Sequence, residues 1–446
     1  MKKILSIALV ILMLAFFAAG CGDNGNSNDS PPPASASDSS SASAPASPSD
    51  SAPASPSDSA PASSPASPSD SAPASSPDEQ PQGSTPPSFP SGVPTLASGA
   101  AQRAADAYAL AEDLAQQASA YNRSAAQYRY TLNCQDPAGS APAAFLTAWS
   151  DAVLIATEGA VNIEVGVSNA FCAGGSMVAL DDTKAGLIDF VWTLPCYYKG
   201  YMPLTLAIQN PSLGTKNSTV GSFAMWELYK SMPSIQSEIA DHGEALFIWA
   251  NNPSPLSYKG NAEITTTSDI TGNVRGNNGP AQLFITEVGA SVFGCPIGDV
   301  YPNVQNGVLN FLITDWHAIA SFKLADPGVL NYYLDTNIGC SAYALIANSD
   351  VWAKIERDGY GDAIKSVSGD YCLNLVGIWE DYEARGRADA INNGGTIFAP
   401  SADLEADLQT AYANVGTQWV SETGADAQAV YDKAVELVNK YNAIYN

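Results

Sequence analysis

Apolar positions recur at helical spacing across Ser98–Ala125, where Leu110, Leu114, Ala118 and Tyr121 share one side. A β-rich run follows at Tyr128–Cys134. The pattern then alternates through helix Ala143–Thr157, strand Asn162–Val167, helix Ser176–Ala185 and strand Ile188–Thr193. Such alternation predicts βαβ units on a parallel sheet. A second alternating stretch begins after Pro253–Pro255, with Ile270–Arg275, a helix through Gln282–Val288, Ser291–Cys295 and a helix Val300–Gln305. Ala342–Ala347 reads as a buried strand and Ala363–Arg387 as one long helix. A closing helix, Gln428–Tyr441, carries the stripe Val430, Tyr431, Ala434, Leu437, Val438 and Tyr441. The prolines and the long helix break any eightfold rhythm, so two α/β lobes are expected rather than a barrel. The expected bounds are 96–127 for a leading helix, 128–252 with about 341–380 for lobe 1, and 253–340 with about 381–446 for lobe 2.

The first 95 residues follow another logic. Lys2 and Lys3 precede the apolar run Ile4–Ala19, and small residues lead to Cys21. Residues 1–20 therefore read as a secretory signal peptide, the run being short for a bilayer span. Ala18-Ala19-Gly20-Cys21 resembles a bacterial lipobox, which would make Cys21 a diacylated membrane anchor. From Gly22 to Thr95 the chain is mostly Ser, Pro, Ala and Asp, and the octad Ser-Ala-Pro-Ala-Ser-Pro-Ser-Asp occurs at 43–50 and again at 51–58. That composition buries too little surface to offset ordering entropy, and reads as a disordered tether.

Charge narrows the function. The 446 residues carry 19 Lys and Arg against 45 Asp and Glu, a net charge of −26, which excludes a nucleic-acid partner. A single long apolar run excludes a multi-pass membrane protein, and 14% charged residues with 30 prolines exclude a coiled coil.

Several segments resemble the DctP-type receptors of TRAP (tripartite ATP-independent periplasmic) transporters. In the first lobe these are Thr157-Glu158-Gly159-Ala160-Val161-Asn162-Ile163-Glu164-Val165, Lys184-Ala185-Gly186-Leu187-Ile188-Asp189-Phe190 and Tyr201-Met202-Pro203-Leu204. In the second, Asp269-Ile270-Thr271-Gly272-Asn273-Val274-Arg275 is similar to the family's Asp-Leu-Lys-Gly-x-Lys-x-Arg, one residue shorter before the Arg. Gly289-Ala290-Ser291, Asp299-Val300-Tyr301, Gln305-Asn306-Gly307-Val308 and Lys323 follow in the family's order. The resemblance spans roughly 128–441. It implies a two-lobed periplasmic-binding-protein-like α/β fold with a ligand cleft between the lobes. It also implies capture of a small organic acid by lobe closure, and delivery to large and small membrane subunits outside the cytoplasmic membrane.

Arg275 is the leading site candidate, because a guanidinium fork grips a carboxylate through two parallel hydrogen bonds, and the resemblance implies that role. By the same resemblance Asn278, Thr314 and Ile297 line the cleft. Leu194 and Pro255 stand where sugar-acid-binding members carry Glu and a second Arg, which argues against a sialic-acid-like ligand. Trp192, Tyr197, Tyr198 and Trp316 are aromatic candidates near strand ends. With only His242 and His317, no Gly-x-Ser-x-Gly and no phosphate loop, the sequence offers little for an enzyme. His317 reads as a polar residue on a helix flank. No cofactor or metal is expected, since no Cys-x-x-Cys exists. Six cysteines remain beside Cys21. Cys172 and Cys196 are expected to follow neighbouring strands within disulfide reach, with Cys134 competing. A surface sensor or adhesin ectodomain reusing the fold is the alternative reading.

Overall fold

The computed structural model describes residues 89–198 and 200–445. The expected signal peptide, Cys21 and the tether up to residue 88 lie outside the described residues. Two sheets organise the rest. The first has strand order β2-β1-β3-β10-β4, built from β1 (Tyr128–Asn133), β2 (Val161–Gly166), β3 (Phe190–Thr193), β4 (Glu244–Ala250) and β10 (Ala342–Ala347). β1 pairs parallel with both β2 and β3, while β10 runs antiparallel between β3 and β4. The second has order β11-β9-β5-β8-β6-β7, from β5 (Leu256–Tyr258), β6 (Asn273–Arg275), β7 (Ser291–Val292), β8 (Phe311–Ile313), β9 (Tyr332–Leu334) and β11 (Thr396–Phe398). Here β6 is parallel to β7 and β8, and β5 is antiparallel to β8 and β9.

Helices cover both sheets. Lobe 1 carries α1 (Ala100–Ala118), α2 (Ala141–Ala156) and α3 (Ser218–Ser231); lobe 2 carries α4 (Pro280–Glu287) and α5 (Trp316–Ser321). The chain then forms α6 (Gly377–Asn392), α7 (Ala402–Thr423) and α8 (Ala427–Asn442). Side-chain capping starts many of them: Ser140, Asn217, Asp315 and Ser401 each accept a first-turn N–H of the helix they precede. The centre of lobe 1 is aromatic, with Phe145, Phe247, Trp249 and Trp379 at ring separations of 4.9–5.9 Å.

α6 joins the lobes through two glycines. A Cβ at Gly377 would stand 2.3 Å from the Arg103 carbonyl oxygen on α1, and one at Gly386 would stand 2.2 Å from that of Trp316 on α5. Only glycine lets these backbones come so close. α1, which precedes the expected lobes, is further locked by Arg103. Its guanidinium donates to both Glu380 carboxylate oxygens at 2.8–3.1 Å, and Thr219 Oγ1 donates to the same carboxylate at 2.7 Å, with both charged side chains almost fully buried.

The structure departs from expectation in four places. The helix expected over 176–185 is only Ala179–Lys184, because Gly175 takes positive φ just before it. The long helix expected over 363–387 is broken into Gly361–Ser366, a 3-10 segment Gly369–Leu375 and α6. The break is Gly369, at φ 53, where a Cβ would meet the Trp226 ring at 2.6 Å. The stretch 381–446 is not all lobe 2: Leu404, Leu408 and Val415 of α7 enter the lobe 2 core, but after Gly424 α8 returns to lobe 1, with Tyr441 5.3 Å from Phe223. Finally, the expected tether reaches lobe 1 before residue 95, since the Phe89 ring packs edge-on against Tyr371 at 5.3 Å.

Candidate functional site

The parallel strands of both sheets end at one seam. Beyond the carboxyl end of β1 lie Gln135 and Asp136, beyond β3 Leu194 and Tyr197, at the end of β6 Arg275, and beyond β8 Thr314 and Asp315. Ligands of open α/β sheets bind at such strand ends. There the structure has a narrow, half-open crevice lined by Asp136, Trp192, Tyr197, Arg275, Asn277 and His317 among others. A second, wider chamber adjoins it, and Tyr197, Arg275 and Asn277 line both.

Arg275 is 2% exposed. Its Nε donates to the Cys295 carbonyl at 3.3 Å, and it forms no ion pair among the described residues. A buried guanidinium without a carboxylate is costly unless something arrives to pair it. Neighbouring polar atoms are also buried without partners, among them Trp192 Nε1 and Asn277 Oδ1. Asn277 Nδ2 donates across the seam to Ser341 Oγ at 2.7 Å, and Asn278 Nδ2 to the Cys196 carbonyl at 2.6 Å. Burial pushes the Tyr197 phenol up to about 12 even though Arg275 opposes the shift, so it stays neutral.

At the same cavity three ionisable groups meet across the lobes. His317 Nε2 faces Asp136 Oδ2 of lobe 1 at 3.2 Å, and its Nδ1 is bonded to Asp315 Oδ1. Burial alone would lower the imidazole pKa, but the two carboxylates overcome it and raise the value to about 10. His317 is thus an imidazolium at neutral pH. Asp315, although buried, is held below its ordinary range by that charge.

The expected residues are sorted by this geometry. Arg275, Thr314, Ile297 and Tyr197 line the first cavity, as do Trp192 and Leu194. Asn278 lines the second chamber. Trp316 does not reach the first cavity: its ring packs tilted against Tyr333 at 5.2 Å under the Arg387 guanidinium and lines a separate hollow with Asp335 and Tyr412. Tyr198 turns away too, its hydroxyl donating to the Ser176 carbonyl. His317 lies in the first turn of α5, but it is buried and lines the cavity rather than standing on a polar flank. The Asp-x-His spacing was visible in the sequence; its Asp136 partner, 181 positions away, was not.

The Cys172–Cys196 disulfide is not formed, and all six described cysteines are free thiols. β1 lies between β2 and β3, so the strands these cysteines follow are not neighbours. Cys172 Sγ instead lies 3.3 Å from Asp182 Oδ2, and burial pushes the Cys196 thiol up to about 12. Among the described residues no group of three or more His, Cys, Asp or Glu could hold a metal ion, and no helix is long and apolar enough to cross a membrane.

Solved structures share this architecture. A TRAP solute-binding protein from an unidentified marine microbe, specific for aromatic acid ligands and in complex with metahydroxyphenylacetate, aligns with a TM-score of 0.65 at 22% identity, over 71% of this chain and 99% of that one. A TRAP solute-binding protein from Rhodoferax ferrireducens with copurified benzoate aligns at 0.64 and 21%, over 71% and 99%. One from Bordetella bronchiseptica with bound mandelate aligns at 0.63 and 20%, over 70% and 99%. The family model for DctP, bacterial extracellular solute-binding protein family 7, matches residues 135–422, more than half of the sequence. The chain, with its two sheets meeting at a single cleft, belongs to this family of extracellular solute-binding proteins.

Proposed function

We propose that this protein is the extracytoplasmic receptor of a TRAP transporter, held at the membrane by lipidated Cys21. It captures a small organic acid between its lobes and hands it to the large and small membrane subunits. The observation that carries this reading is Arg275, buried at the seam with no carboxylate to pair it. A ligand carboxylate completes the ion pair, with the Trp192 N–H at hand for a further hydrogen bond. The rings of Trp192 and Tyr343, 5.1 Å apart and tilted 50° to one another, give the cleft an aromatic side suited to an aromatic acid, the ligand type of the three relatives above. Contact with both lobes favours the closed state, which is how closure yields affinity.

A thermal-shift panel of benzoate, 3-hydroxybenzoate, mandelate and pyroglutamate, followed by calorimetry, tests the reading. A true ligand raises the melting temperature with concentration. Arg275→Ala is expected to weaken binding by about 2–5 kcal/mol. Arg275→Lys should do nearly as badly, because an ammonium cannot reproduce the fork. Variants binding within about threefold of wild type would end the carboxylate-anchor reading.

A further inference from the structure

The cavity that holds Arg275 also holds two carboxylates, and their arrangement restricts the ligand further. Neither Asp136 nor Asp315 is within ion-pair distance of the guanidinium, so space separates the positive and negative ends of one cavity. His317 cannot serve a second ligand carboxylate. Both of its ring nitrogens already face aspartates, so no N–H is left to donate. The Asp136–His317–Asp315 cluster carries one positive and two negative charges and is therefore net negative toward the cavity. Asp136 uses Oδ2 for His317, and a carboxylate has lone pairs for further donors.

We infer that the cleft selects monocarboxylates bearing a hydrogen-bond donor, such as a hydroxyl, opposite the carboxylate, and that Asp136 is the residue that turns dicarboxylates away. This rests on Arg275 as the carboxylate anchor. A ligand's first carboxylate neutralises Arg275, the one cation without a carboxylate partner among the described residues that line the cavity. A second would be buried beside a cluster already net negative, where like charges a few ångströms apart repel strongly. A hydroxyl at the same place gains a charge-assisted hydrogen bond instead. A site built to accept such a bond also penalises ligands lacking the donor.

Four meta-substituted acids of one framework test this by calorimetry on the wild-type protein: benzoate, 3-hydroxybenzoate, 3-nitrobenzoate and isophthalate. The nitro acid has nearly the shape of isophthalate without its second charge. Expected is 3-hydroxybenzoate about tenfold tighter than benzoate, and isophthalate roughly 100-fold weaker than 3-nitrobenzoate. Asp136→Asn, checked for folding by its melting temperature, should narrow the isophthalate gap at least about tenfold. Isophthalate within about threefold of 3-nitrobenzoate, whether both bind or both are excluded by size, overturns the charge argument. Should Asp136→Asn fail to fold, the wild-type series alone decides. Failure of all four acids, of mandelate and of pyroglutamate overturns the carboxylate-anchor reading itself, an outcome distinct from binding without discrimination.

Discussion

Replacing Gly386 by alanine sets two effects of known sign against each other. Within a helix, Gly→Ala favours folding by about 0.5–1 kcal/mol, through backbone entropy. At this position the new Cβ would lie 2.2 Å from the Trp316 carbonyl oxygen, 3.0 Å from its carbon and 3.3 Å from its Cα. An ordinary C···O contact is roughly 3.3 Å, so α6 and α5 must separate by about 1 Å. The obstacle is backbone and cannot change rotamer. Overpacking of that kind costs about 1–3 kcal/mol, and here the upper end applies. The clash wins, and a net loss of about 2 kcal/mol is expected, a drop in melting temperature of roughly 3 °C. Because α5 also carries His317, ligand affinity should fall as well. Ala388→Gly, at an exposed site on the same helix, reads the propensity effect alone, at about 1 kcal/mol. Scanning calorimetry of both variants with and without ligand is the assay. A Gly386→Ala protein that melts at or above wild type would refute the reasoning, by showing that the lobes yield at this contact without cost.

Three other outcomes follow from the structure. Arg103→Ala leaves the Glu380 carboxylate buried with Thr219 as its remaining partner, and should cost about 3–5 kcal/mol in chemical denaturation; an unchanged midpoint would discard α1 as a structural clamp. His317, faced by Asp315, Asp136 and the rings of Tyr343 and Trp379, has its pKa raised from 6.5 to about 10. Its contribution to stability is therefore full below the unfolded value of about 6.5 and lost as pH rises through about 10. The lowered pKa of Asp315 works at the other end, being lost as pH falls through its folded value. Melting temperatures against pH should fall more steeply on the alkaline side for wild type than for His317→Gln, and parallel curves would count against the clasp. Labelling of the native thiols should reach the partly exposed Cys295 first, and after denaturation without reductant all six cysteines from Cys134 to Cys372 should titrate; a pair that stays blocked would contradict the free-thiol assignment.

What could be read from the sequence was what is local. The alternation before Thr193 gave the strands of a parallel sheet, and the Asp269–Arg275 segment placed Arg275 at a strand end, where the structure has it. What failed depended on contacts between distant residues. The order β2-β1-β3 is not encoded in any one segment, so Cys172 and Cys196 were placed on adjacent strands. Trp316 has the same aromatic character as Trp192. Only the direction of α5 against β9 sends it toward Tyr333 instead of the cleft. The role of His317 is not legible locally, because its two carboxylates come from different lobes. Gly369 and Gly424 are ordinary letters in the sequence, yet one breaks a helix and the other returns the chain to lobe 1.

The route by which the N-terminal part of the chain grips the folded body has a mechanical meaning. Phe89 on Tyr371, the Leu96 amide on the Tyr445 hydroxyl and Arg103 on Glu380 all fasten to the side of the first sheet. A pull applied at Phe89 would load those joints in turn, and the last of them passes it to α6, the helix that joins the lobes. The three joints would have to give way one after another before α1 came off the side of the first sheet.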